Sequence, residues 1–376
     1  MTQLTTVDRY FGDLPDPRTG PAKLHRLIDI LTIALLAVIC GAQNWVEVHD
    51  FGEEHEEWLK TLLELPNGIP SHDTFGRVFA LLQPQAFEER FLKWLQHLAP
   101  PQPGEVIALD GKTVRGSRDR FAGQDALVMI SAYASQSQLT LTQQGVPEDT
   151  NEIGRMSEVL KLLALQDCVV TMDAAHCQTE NARQIVEQGG DYVFVVKENQ
   201  GTLYQQLRQT FEDSDFSIAQ PTTYVTVEKG HGRIERRHYT LIQHPDYLDY
   251  FNQGGKWFQL NSVLRVERER QLPDKTEHAL HYYISSLSTP VADIAHCIRS
   301  YWGIENRVHW LLDVVFREDL CRVRVGFGAE NFAVLRHIAL NLLKREQTLK
   351  RSIQRKRFHA NMNHEYLLRV LQAGIP

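Results

Sequence analysis

The chain has 376 residues, 43% apolar and 23% charged, with no long polar or Pro/Gly-rich tract; this composition excludes a disordered or fibrous chain and supplies a large core in two or three domains. Its formal charge of −7 argues against a surface that grips phosphates everywhere, yet residues 291–376 hold 14 Lys+Arg against 8 Asp+Glu, a local excess of +6. The five cysteines are widely spaced without a C-x-x-C pair, which fits a reduced cytoplasmic setting and argues against a disulfide framework.

The start, MTQLTTVDRYFGDLPDPRTG, is polar and turn-rich, unlike a signal peptide. Four helical patterns follow, Lys23–Cys40, Trp45–Leu65, His72–Leu82 and Pro84–Leu98. The apolar run Leu27–Cys40 contains Asp29 and falls short of the roughly twenty residues of a membrane span; it reads as a buried helix, and no membrane is expected as a partner. Ser71 is an N-cap candidate, and Pro84 suits the first turn of a new helix. The second and third patterns resemble a helix-turn-helix that would read DNA ends. Against this, Glu53, Glu54, Glu56 and Glu57 form an acidic run that DNA would repel, so a bracing or accessory role stands beside the DNA-binding one.

The segment APPQPGE (99–105) closes this helical unit with three prolines and a glycine. The period then changes. EVIALDG, ALVMISAYAS and QLTLTQ read as strands, NEIGRMSEVLKLLAL as a helix, CVVTMDA as a strand, TENARQIVEQGG as a helix and DYVFVVK as a strand, a mixed α/β core. Residues 220–288 turn to hairpins, a β-rich insertion in that core. Helices resume from Val291 through Phe316 and from Ala329 to about Arg351. The expected division is 1–99 helical, 105–345 α/β with the insertion, and 346–376 a basic C-terminal tail.

Asp110 ends the apolar run VIAL, and Asp173 ends CVVTM. Carboxyl ends of neighbouring strands in an α/β sheet converge on one crevice, so carboxylates there are natural ligands for a divalent cation, although an Asp at a strand end also simply caps a turn. Glu305 lies in SYWGIENRVHWLLDVVF, apolar on nearly all faces, where a buried charge needs a partner. Three such carboxylates would form an oxygen-only Mg²⁺ site, and two ions about 4 Å apart would serve phosphodiester displacement. His309 shares the helical face of Glu305; it reads equally as a phosphate or metal contact and as a hydrogen-bonded core histidine. No Cys/His cluster has zinc spacing, the G-x-G of GFGAE is isolated, and no P-loop occurs, so neither zinc nor ATP is expected.

The motifs YFGDLPDPR, ALDGKTVRGS, MDAAHCQ, VVKENQ, HGRIERR and YWGIENRVHWLLDVVFRED occur in order from residue 10 to about 320. In these the chain resembles DDE-class insertion-sequence transposases with a ribonuclease-H-like core, most closely the H-repeat-associated group. The resemblance implies a ribonuclease-H-like mixed sheet preceded by an all-α domain. Asp110, Asp173 and Glu305 would be its catalytic, metal-binding triad, with Mg²⁺ as cofactor and Mn²⁺ able to substitute. Many members carry Tyr-x2-Arg-x3-Glu-x6-Lys around the glutamate; those places here hold Ile298, Tyr301 and Leu312, so other cations, Arg299, Arg307 or His309, would have to meet the DNA.

Further DNA contacts are expected at Lys112, Arg115 and Arg118 beside the first aspartate and at Lys197 past the fifth strand. In KGHGRIERRH, Arg233, Arg236 and Arg237 would enter a groove, with Glu235 allowing a salt-bridged hairpin instead. The run Lys344–Arg357, seven cations and one acid, fits nonspecific phosphate contact. The expected function is DNA transposition, with phosphodiester hydrolysis at element ends and strand transfer to target DNA by a homodimer on double-stranded DNA. The alternatives are a metal-dependent nuclease without strand transfer and an inactive DNA-binding remnant.

Overall fold

The computed structural model describes residues 5–20, 23–98, 102–146, 151–212, 220–230 and 232–373. Part of the expected 99–105 junction, His231 of the basic hairpin and the last three residues of the tail lie outside them.

The N-terminal helices are α1 (Thr5–Phe11), α2 (Leu27–Cys40), α3 (Trp45–Glu54), α4 (Glu56–Leu59), α5 (His72–Leu81) and α6 (Pro84–Leu98). Their ends follow local chemistry. Asn44 accepts the Glu47 N–H at 3.0 Å while Glu47 accepts the Gln43 N–H at 2.8 Å, a reciprocal cap that starts α3. Ser71 accepts the Thr74 N–H at 3.3 Å and starts α5. The expected helix 45–65 breaks at His55, and α3 and α5 are separated by α4 and residues 60–71 rather than by the short turn of a helix-turn-helix.

The α/β part comprises β1 (Val106–Val114), β2 (Leu127–Ala134), β3 (Leu139–Gly145), α7 (Glu152–Leu162), β4 (Val169–Met172), α8 (Thr179–Glu187), β5 (Asp191–Val196) and α9 (Gly201–Glu212). The 220–288 stretch supplies β6 (Thr222–Gly230), β7 (Arg233–Ile242), α10 (Pro245–Phe251), β8 (Ser262–Gln271) and β9 (Thr276–Ser285). Among the described residues the nine strands form one sheet in the order β3-β2-β1-β4-β5-β9-β8-β7-β6. β1, β4 and β5 are parallel, while β1–β2, β2–β3 and every pair beyond β5 are antiparallel. The first five strands have the ribonuclease-H-like arrangement, and the hairpins extend that sheet from β5 through β9 instead of standing apart.

Side chains alternate across the sheet, and this fixes where the chemistry lies. Ile107 and Leu109 of β1 pack with Met156 of α7 and Ile185 of α8 on one face. Val106 packs on the other with Ile294 and Ile298, on α11 (Val291–Ile304). Asp110 and Lys112 continue the Val106 series and therefore face the α11 side.

The chain then runs through a π-helical turn (Glu305–His309), α12 (Trp310–Val314), α13 (Gly328–Arg345), α14 (Ile353–Met362) and α15 (His364–Gln372). α13 is buried over nearly its whole length and joins the two ends of the chain: Phe332, Leu335 and Leu342 share one hydrophobic cluster with Leu36, Phe79 and Trp94 of the N-terminal helices and Leu367 of α15. Asn331 donates to the carbonyls of Phe79 and Leu82, both at 2.8 Å, satisfying the end of α5. Among the described residues no single helix is long and apolar enough to cross a membrane.

The expected helix to Arg351 stops at Arg345, and the basic run continues into α14. Not every cation of the run is placed for the nonspecific phosphate contact expected of it. Arg357 is buried, donates to the carbonyls of Val38, Ile39 and Val315, and lies 4.0 Å from the centroid of the Phe316 ring. Buried Lys356 donates to Leu343 O at 2.8 Å and also to the Glu346 carbonyl. These cations close helix ends inside the protein, whereas Lys350, Arg351 and Arg355 remain exposed.

Candidate active site

β1 and β4 pair in parallel as far as Leu109 beside Met172. The next residues, Asp110 and Asp173, therefore lie side by side, about one strand spacing (~4.8 Å) apart; Asp173 follows the end of β4, whereas Asp110 is not at a strand end as expected, because β1 runs on beside β2 to Val114. Asp110 Oδ1 accepts the N–H of Gly111 at 3.1 Å. Asp173 Oδ1 accepts the N–H of His176 at 3.3 Å, so it also caps the turn Ala174–His176.

Glu305 opens the π turn at the end of α11, a wider turn than α-helix whose single occurrences concentrate at functional sites. Ile304, Val308 and Leu312 take the apolar side of this segment into the core, leaving the Glu305 side chain 57% exposed. The expectation of a buried glutamate is thus corrected: it faces the cleft. His309 Nδ1 lies 3.3 Å from Glu305 Oε2 and 3.6 Å from Asp110 Oδ2. The potential ligand atoms of Asp110, Glu305 and His309 all lie within 4.8 Å of one another. Asp173 falls outside that trio but lines the same cleft of about 430 Å³ with Asp110 and Glu305.

Burial pushes the Asp110 carboxyl up to about 6, with His309 opposing and the charges of Asp173 and Glu305 adding to the rise. The hydrogen bond from His309 holds Glu305 below its ordinary value. A buried Asp110 carboxyl whose proton affinity is raised by two neighbouring carboxylates, with a histidine nitrogen beside it, belongs to a donor set that a hard divalent cation would relieve.

A second histidine–carboxylate pair abuts this centre and has no counterpart in the sequence reading. His176 is buried, with Nε2 3.1 Å from Glu152 Oε1 and 3.9 Å from Asp173 Oδ1. Glu152, the first residue of α7, lies over Gly111, where a Cβ would come within 1.9 Å of its Oε1. The available signal was a glycine inside a strand next to a candidate catalytic residue, a mark of close approach.

The predicted cations divide. Lys197 is exposed and lines the cleft. Arg299 lines it too, but its guanidinium grips Glu228 of β6 at 3.0 and 3.1 Å. Arg268 and His281, which the sequence reading did not single out, line that wall together with Arg237. On β7, Arg233 and Arg236 reach solvent, whereas Arg237 is buried between Glu235 at 2.7 Å and Glu228 at 3.3 Å. For Arg237 the salt-bridged alternative is the one found, because alternation turns it to the face opposite Arg236. Arg115, Arg118 and Arg307 are exposed. Lys112 is corrected: its side chain is 10% exposed and its ammonium is held by acidic side chains.

The family model described as "Transposase DDE domain" matches residues 101–342, and that described as "DDE_Tnp_1-associated" matches residues 9–95. The H repeat-associated protein YhhI of Escherichia coli strain K12 is 36% identical over 374 residues, 98% of each chain. A protein encoded in the dhlA 3′ region of Xanthobacter autotrophicus is 41% identical over 281 residues, 74% of this chain and 93% of its own. Among solved structures, a piggyBac transposase synaptic complex with hairpin DNA aligns with 98% of this chain and 78% of its own, at TM-score 0.43 and 10% identity.

Proposed function

The chain belongs to the DDE transposase family, and from that premise we propose that it cuts phosphodiesters at the ends of an insertion sequence and joins the freed 3′ ends to target DNA. The observation that carries this reading is the convergence of Asp110, Asp173 and Glu305 on one cleft, with His309 bridging Asp110 and Glu305. Asp110, Asp173 and Glu305 would hold Mg²⁺, or Mn²⁺ in its place, which supplies Lewis acidity for the phosphoryl oxygens and lowers the pKa of the attacking group. His309 orients the Glu305 carboxylate by the hydrogen bond already formed. Lys197, Arg268 and Arg299 line the wall along which the DNA backbone would run, and phosphate contacts of this kind set register rather than sequence preference. Arg115, Arg118, Arg233, Arg236 and Arg307 are surface cations available for the flanking duplex. In this reading residues 1–99 brace the catalytic unit 105–345 through the shared helical core, and a homodimer on double-stranded DNA holds two ends together.

The test uses Asp110→Asn, Asp173→Asn and Glu305→Gln with DNA carrying the element ends and Mg²⁺, scoring cleaved and joined products separately. Each substitution is expected to abolish both products. Undiminished cleavage in any variant removes that residue from the site, and cleavage without joining by the unaltered protein reduces the reading to a nuclease.

A further inference from the structure

Lys112 stands two residues beyond Asp110 on the same face of β1. Its Nζ lies 2.7 Å from Asp313 Oδ1, 2.9 Å from Glu318 Oε2 and 3.6 Å from Asp319 Oδ1. Asp313 follows His309 by four residues on the same side of the helical segment. His309–Asp110 and Asp313–Lys112 are therefore successive rungs between one strand and one helix. The chain reverses at Arg317, whose φ of 50° is left-handed, and this returns Glu318 and Asp319 to the same ammonium. Glu318 is almost wholly buried, with Arg336 of α13 3.6 Å away.

We infer that Lys112 is a positioning residue: its ammonium pins the segment carrying Glu305 and His309 to the strand carrying Asp110. The inference rests on the reading above that these residues act in one centre. Three carboxylates converge on one Nζ, and removing it leaves Glu318, which cannot reach water, with Arg336 at 3.6 Å and Asp319 with Arg115 at 3.7 Å, so that three negative charges are only partly compensated; a buried ion set that loses one partner is destabilised. The strain is relieved most directly by movement of residues 305–319 away from β1, which separates Glu305 from Asp110. A lysine on DNA would instead present its ammonium to solvent.

The experiment compares full-length wild type, Lys112→Met, Lys112→Arg and Asp313→Asn. Three quantities are read: binding to element-end duplex against salt in EDTA, hydrogen exchange of amides 305–313, and the rise in melting temperature on adding Mn²⁺. Lys112→Met is expected to leave the salt slope unchanged, speed exchange of 305–313 at least tenfold, and reduce the Mn²⁺-dependent rise to less than half. Lys112→Arg is expected to recover part of both losses. Asp313→Asn, which leaves Glu318 and Asp319 on the ammonium, is expected to speed exchange of 305–313 even where Lys112→Met does not fold. A salt slope reduced by about one, the loss of a single phosphate contact, with exchange unchanged would overturn the inference, as would unchanged exchange in Asp313→Asn. These readouts need no cleavage. If Asp110→Asn and Glu305→Gln cut DNA like wild type, the catalytic reading fails while the role of Lys112 is still decided.

Discussion

His309 Nδ1 stands 3.6 Å from Asp110 Oδ2, joining a residue of β1 to one almost 200 positions later. The same nitrogen is 3.3 Å from Glu305 Oε2, so one imidazole orders two of the three candidate carboxylates. Replacing it with alanine is predicted to raise the Mg²⁺ concentration for half-maximal cleavage by about 10- to 100-fold, the usual effect of losing a group that orients metal ligands. A Mg²⁺ titration of His309→Ala checks this, and an unchanged midpoint would return His309 to a purely structural role.

Asp110 makes stability depend on pH in a definite direction. Its folded value, about 6, lies above the ordinary 3.8, so between these pH values the folded chain keeps a proton that the unfolded chain has released. Stability therefore falls as the pH rises through this window, by up to about 3 kcal/mol for a shift of this size. In EDTA, Asp110→Asn is predicted to melt higher than wild type at pH 7 to 8 and to lose that advantage near pH 4. Equal melting curves at both pH values would contradict the burial argument.

Much of this was legible in the sequence because strand and helix periods differ. Asp110 and Asp173 were found as the polar ends of short apolar runs, and β1 through β5 follow the order in which the pattern changes. The π turn was not legible, since an extra residue per turn has no side-chain signature, and the apolar surroundings of Glu305 made it look buried. The fate of Lys112 was hidden because Asp313, Glu318 and Asp319 are some 200 residues away in sequence. Likewise, Arg357 reads as one more cation in a basic run until α2 is brought beneath it.

The two arginines of the "RR" pair on β7 are predicted to fail differently. Arg236 is exposed, and Arg236→Ala should lower the slope of log affinity against log salt by about one without altering thermal stability. Arg237→Ala leaves Glu235 buried with only Arg268 and Arg270 near it, and should lower the melting temperature with little change in salt slope. Salt titrations and melting curves on both variants separate the cases, and identical behaviour would mean that the hairpin rearranges on DNA.

The basic tail divides in the same manner. Arg357→Ala removes a buried guanidinium from three carbonyls and an aromatic face, a loss expected to cost on the order of 2–4 kcal/mol. Chemical denaturation measures this directly. Replacing Lys350, Arg351 and Arg355 together should leave stability within about 0.5 kcal/mol, as surface changes usually do, and reduce nonspecific DNA affinity. Loss of DNA affinity in properly folded Arg357→Ala alone would place that residue on the nucleic acid after all.

Gly111 offers a test of the arm that sequence reading missed. A Cβ at this position would lie 1.9 Å from Glu152 Oε1 and 2.8 Å from its carboxyl carbon. In Gly111→Ala the glutamate must therefore swing away and give up its 3.1 Å contact with His176, the residue whose N–H Asp173 accepts. Because Glu152 is partly exposed and free to move outward, the fold should survive while the orientation of Asp173 loosens. Cleavage is predicted to fall at least tenfold, with Glu152→Gln retaining more activity because an amide can still pair with the imidazole. Wild-type cleavage by Gly111→Ala would show that the Glu152–His176 arm does not bear on the site.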